Sequence, residues 1–106
     1  MRRTQEAHRR IQNELTQERA TALGRAGERL ELALAHAAAV GRRFEASRDP
    51  EECLRLGRDY DAACARAREA RLALVIQREA VGLRHHRVVD QQFPEPPRRG
   101  GPHRAS

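Results

Sequence analysis

Two adjacent histidines, His85 and His86, and two cysteines, Cys53 and Cys64, are the side chains of this 106-residue chain best suited to chemistry. A metal centre needs such ligands to converge on one ion. Neighbouring helical residues point about 100° apart, so the histidine pair does not converge by itself. It suits the C-terminal turn of a helix, where imidazoles meet free carbonyls. The cysteines, eleven positions apart on one helix, are separated by roughly 16 Å and cannot bridge. Cys53 falls in a first helical turn beside Glu51 and Glu52, which does not single it out as a nucleophile. Both thiols read as small packing residues.

Other catalytic patterns are missing. There is no HExxH and no Glu-x-x-His pair of the di-iron kind. Gly100 and Gly101 have no strand and helix around them to make a phosphate loop. The carboxylates alternate with arginines, and no pair is set apart as acid and base. The expectation is a protein that is not an enzyme, with no catalytic, cofactor or metal residue.

Phosphate binding is the remaining chemistry. The net charge is +6, and all 21 basic residues are Arg. Arg2, Arg3, Arg9, Arg10, Arg98 and Arg99 lie toward the chain ends and could grip RNA or DNA phosphates. Arg55, Arg58, Arg66, Arg68 and Arg71 make the second half Arg-dense, but Asp59, Asp61 and Glu69 interrupt them. Only Tyr60 and Phe93 are placed to stack on bases. Positive charge is interleaved with negative rather than gathered in a stripe. A basic nucleic-acid-associated protein is therefore the alternative reading, and a GC-rich coding sequence, which enriches Arg and Ala together, explains the composition as well.

The elements that would carry these residues are helices. Leu, Ile, Val and Phe number 19 and Ala 18, a composition for thin helical packing rather than a thick core. Asp49 can cap a helix, Pro50 suits its first position, and Glu52 completes a capping box. The next stop lies at 82–89, so the spacing predicts a helix over about 49–86. Its seam is Leu56, Tyr60, Ala63, Ala67, Ala70, Leu74, Gln77 and Val81, alternating four and three. A first helix over about 20–46 has the seam Leu23, Gly27, Leu30, Leu34, Ala37, Gly41 and Phe44. Gly27 and Gly41 are expected to admit a close neighbour, and Gly24 to mark a kink.

The short connection at Ser47 and Arg48 implies antiparallel neighbours. Folding the chain so that paired positions sum to 97 sets Gly41 against Leu56, Ala37 against Tyr60, Leu34 against Ala63 and Leu23 against Leu74. Large faces small in most layers. The fold class is therefore all-α, an antiparallel αα-hairpin over 20–87 with coiled-coil spacing and the potential to form half of a four-helix bundle. Residues 1–19 read as a charged helical extension, with Glu6–Arg9 and Glu6–Arg10 pairs and Ile11 off the seam. Residues 88–106 read as a Pro/Gly/Arg-rich tail, in which Pro94, Pro96 and Pro97 exclude helix and favour polyproline II, and which is disordered by composition from Arg98 onward. Phe93 either plugs the hairpin or anchors a docking peptide.

Leu72, Val75, Ile76 and Leu83, with Leu32 on the first helix, fall outside the hairpin seam. Together with Phe93 they form the candidate partner interface. The expected role is a small non-catalytic protein–protein interaction module: an adaptor, an accessory subunit or a self-assembling bundle. Its partner is itself or another protein, without a membrane. No secretory apolar stretch follows Met1, so the expected location is cytoplasmic with reduced thiols.

Overall fold

A computed structural model describes residues 2–99. Helix α1 spans Arg2–Ala46, α2 spans Pro50–Ala80, and a short α3 spans Arg87–Gln92. No strand occurs among the described residues. Helices α1 and α2 pack against each other as an antiparallel hairpin, giving a rod of 73 × 24 × 15 Å.

The connection is short because both helix ends are satisfied within it. Ser47 N–H donates to the Arg43 carbonyl at 3.0 Å. Asp49 is the N-cap of α2, its Oδ2 accepting from Glu52 N at 3.0 Å, with Pro50 at the first helical position. Such a cap is worth about 1 kcal/mol.

The core is thin and falls into two clusters. Near the connection, Ala37 and Val40 meet Leu56, Tyr60, Ala63 and Cys64, with Phe44 packed alongside. Toward the open end, Ala26 and Leu30 meet Leu74 and Val89, with Leu23, Leu34, Ala70 and Phe93 against them. Most of the predicted seam positions are buried or half-buried, while Val81 is exposed. The ring of Tyr60, expected across from Ala37, reaches one turn further: a Cβ on Gly41 would lie 3.0 Å from Tyr60 Cε1. Gly41 thus admits a close neighbour. Gly27 does not, having nothing within 4 Å of its Cβ position, and α1 runs through Gly24 unbroken.

Three boundaries differ from the expectation. Helix α1 is continuous from Arg2, so the charged extension and the first hairpin helix are one element. Helix α2 stops at Ala80 rather than 86. Gly82 adopts φ +90°, Leu83 N–H bonds to the Arg78 carbonyl at 2.9 Å, and Gly82 N–H bonds to the Glu79 carbonyl at 3.0 Å. This is a Schellman stop, and a glycine reaches that φ without a Cβ clash. The Arg84 to Arg87 cluster is therefore not the last turn of α2.

The third difference concerns the expected tail. Residues 87–92 turn back as α3 and bury Val89, and 93–99 run as an extended strap along the hairpin. Of the segment expected to be disordered from Arg98 onward, Arg98 and Arg99 belong to this strap, and 100–106 lies outside the described residues.

Candidate functional site

The strap is held at four points along the groove between α1 and α2. Phe93 is half-buried against the open-end cluster, as a plug. The Tyr60 hydroxyl donates to the Pro97 carbonyl at 2.6 Å. Arg99 Nη2 and Nε donate to Asp61 Oδ2 and Oδ1 at 2.7 and 3.3 Å, a two-pronged ion pair. The same guanidinium sits 5.5 Å from the ring centre of Phe44. The hydrogen bond to Asp61 holds Arg99 protonated even above its ordinary value, against a small desolvation and with help from the Asp61 charge.

Gly57 explains how the guanidinium fits. It is buried in the middle of α2, and a Cβ there would meet Arg99 Cζ at 2.9 Å. Arg98 stands exposed beside it. Of the six arginines expected to contact phosphate, Arg99 is thus engaged by Asp61, whereas Arg2, Arg3, Arg9, Arg10 and Arg98 are exposed and make no ion pair among the described residues. The expected Glu6–Arg9 and Glu6–Arg10 pairs do not close there either.

Arginines also fix the turn into α3. Arg78 Nε donates to His86 Nδ1 at 3.2 Å, and its Nη2 donates to the His85 carbonyl at 2.9 Å. Asp90 stands four residues after His86, but its carboxylate accepts from Arg71 Nη2 at 2.7 Å. No group of three His, Cys, Asp or Glu side chains is arranged for a metal among the described residues. No polar side chain is buried there. Cys64 is buried, Cys53 half-buried, and both are free thiols. His36 is exposed.

A concavity of about 750 Å³ is lined in part by the strap residues Phe93–Pro97. Leu34, Gly41, Tyr60 and Phe93 line its floor, with Glu31 and Arg42 at its rim. It is an open groove, lined also by Glu45, Gln92 and Glu95.

The expected partner interface lies elsewhere. Leu72 and Ile76 are 59% and 55% exposed, one turn apart on the side of α2 away from α1. Val75 is half-buried beside them. Leu83 is exposed in the turn after α2, and Leu32 is exposed on α1. Phe93 does not join this face, because it is packed on the hairpin. The sequence reading offered the Phe93 plug but missed Gly57, Asp61 and the strap contacts of Pro97 and Arg99. One signal was present: a glycine inside a long helix, which costs about 1 kcal/mol relative to Ala and is tolerated where a neighbour must pass close.

No family model matches the chain, and neither a curated protein nor a solved structure shows significant similarity to it. No helix among the described residues is long and apolar enough to cross a membrane.

Proposed function

We propose that the chain is a small non-catalytic helical interaction module, an adaptor or accessory subunit that works by assembling with itself or with another protein. The observation that carries this reading is the pair Leu72 and Ile76, two large apolar side chains more than half exposed and adjacent on one helical face. Burying what remains exposed of each on a partner would remove apolar surface worth roughly 1–1.5 kcal/mol per side chain. A hairpin with so thin a core also gains from any further burial.

Size-exclusion chromatography with light scattering tests it. The expected result is assembly that Ile76→Glu abolishes while helicity by circular dichroism stays unchanged. Unaltered assembly in Ile76→Glu, or loss of the monomer's fold, counts against this face.

A second reading rests on the exposed, unpaired Arg2, Arg3, Arg9 and Arg10 on one helix end. A nucleic-acid-associated protein would copurify with 260 nm absorbance. Its affinity would fall steeply with salt, each phosphate neutralised adding about one unit to the slope of log affinity against log salt concentration.

A further inference from the structure

The hairpin touches the strap at every third residue. A polyproline-like backbone has three residues per turn and rises about 3.1 Å per residue, so positions three apart share an edge. Pro94, Pro96 and Pro97 fix φ in the range this backbone needs. Phe93 and Pro96 are half-buried, whereas Pro94, Glu95, Pro97 and Arg98 are exposed. Arg99 is next on the same edge, its side chain 34% exposed against Asp61.

Each inward position has its own receiving surface. Phe93 and Pro96 share a cleft with Leu30, Leu34 and Ala67. Arg99 is received by the Asp61 carboxylate, by the ring of Phe44 and by the space that Gly57 leaves open. Between them the Tyr60 hydroxyl donates to the Pro97 carbonyl. Holding a preformed proline-rich backbone in an aromatic-lined groove is a recurring mode of peptide recognition, and a carboxylate taking both prongs of an arginine adds specificity to it.

The hold lies in these groups rather than in the continuity of the chain. No backbone N–H within 94–99 pairs with either helix among the described residues. A separate segment with the same residues at the same spacing can therefore make the same contacts. The Asp61 side chain is 54% exposed, and the open concavity lined by α1 and by Phe93–Pro97 gives such a segment room to enter. The strap, joined to the hairpin by a short connection, competes at an effective concentration on the order of millimolar.

We propose that the groove between α1 and α2 is a recognition site for a proline-rich segment of another protein, one with an aromatic residue, a proline and an arginine at successive third positions. Residues 93–99 fill this site in cis until such a segment displaces them. The proposal deepens the interaction-module reading and rests on it. It names the partner's chemistry and places the contact in the groove rather than on Leu72 and Ile76.

Fluorescence anisotropy tests it with the full chain and a labelled synthetic copy of residues 92–99. Arg99→Glu in the chain breaks the resident ion pair and leaves the groove intact. That chain is expected to bind the peptide about tenfold or more tighter than the unaltered chain, in which the strap competes. Phe93→Ala in the peptide should weaken this binding about tenfold or more. Charge exchange tests the arginine position: Asp61→Arg in the chain also frees the strap, and this chain should prefer a peptide carrying Arg99→Glu over the unaltered peptide. The Arg99→Glu chain, which keeps Asp61, should show the opposite preference. Circular dichroism should find both chains as helical as the unaltered one. Absence of binding to both altered chains overturns the proposal, as does binding that ignores the charge exchange. Equal binding by the unaltered and Arg99→Glu chains overturns the resident role of the strap.

Ile76→Glu separates the two readings. Assembly that Ile76→Glu abolishes, with no peptide bound by either altered chain, refutes the groove and leaves the interaction module standing. Charge-dependent peptide binding by a chain that is monomeric in light scattering, unchanged by Ile76→Glu, supports the groove and counts against the Leu72–Ile76 face.

Discussion

The guanidinium of Arg99 rests on Gly57: a Cβ built on that glycine would lie 2.9 Å from Arg99 Cζ and 3.1 Å from its Nη1. Two residues 42 positions apart in the chain are thus fitted to each other, one by what it lacks. The atom in the way is the end of a flexible side chain and can move at small cost. Gly57→Ala is therefore expected to gain about 0.5–1 kcal/mol of helix stability while loosening the strap. Thermal melting should rise as proteolytic cleavage within 94–99 becomes faster. Gly41→Ala offers the same gain in propensity, but its new methyl meets the buried ring of Tyr60 at 3.0 Å. Its net effect is expected at or below zero, about 1 kcal/mol worse than Gly57→Ala.

Tyr60→Phe removes the donor to Pro97 and leaves the ring in its cluster. A part-buried hydrogen bond of this kind contributes about 1 kcal/mol. Urea unfolding should show a loss of that size, and proteolytic cleavage within 94–99 should become faster.

Leu30 and Leu32 stand two positions apart on α1 with opposite surroundings, 1% and 70% exposed. Leu30→Ala opens a cavity in the open-end cluster and should cost about 2–5 kcal/mol, enough to unfold much of a hairpin this thin. Leu32→Ala should change monomer stability by no more than about 0.5 kcal/mol. Paired chemical melts at low protein concentration check both.

Gly82 ends α2 at φ +90°. Gly82→Ala forces a Cβ into the left-handed region, for a loss of about 1 kcal/mol, and Gly82→Asn should lose less. Differential scanning calorimetry of the three chains gives the order Gly, Asn, Ala in melting temperature.

The parts of the fold legible in the sequence are those written in local chemistry or in period. Asp49, Pro50 and Glu52 announce the start of α2, and the alternating seams give the antiparallel hairpin. The end of α2 was harder to read. Arg84, His85, His86 and Arg87 suit a last turn as well as a loop, and the decisive signal was the single Gly82.

The strap was legible only in part: Pro94, Pro96 and Pro97 point to polyproline II and Phe93 to a plug, but polyproline-like backbone has no amphipathic period to say where it lies. Its anchors are lone residues 37 and 38 positions from their partners, Pro97 with Tyr60 and Arg99 with Asp61. Val88 and Val89 lie in a helix too short for a period to show.

The unequal burial of the two thiols turns α2 into a stopwatch. Cys53 is half-buried near the start of the helix, and Cys64 is buried in the cluster with Tyr60. A thiol reagent meets the first in the closed hairpin and the second only when the helices part. The ratio of the two labelling rates thus reports the free energy of hairpin opening, without any added probe. Anything that clamps the helices together should slow the labelling of Cys64 and leave that of Cys53 nearly unchanged.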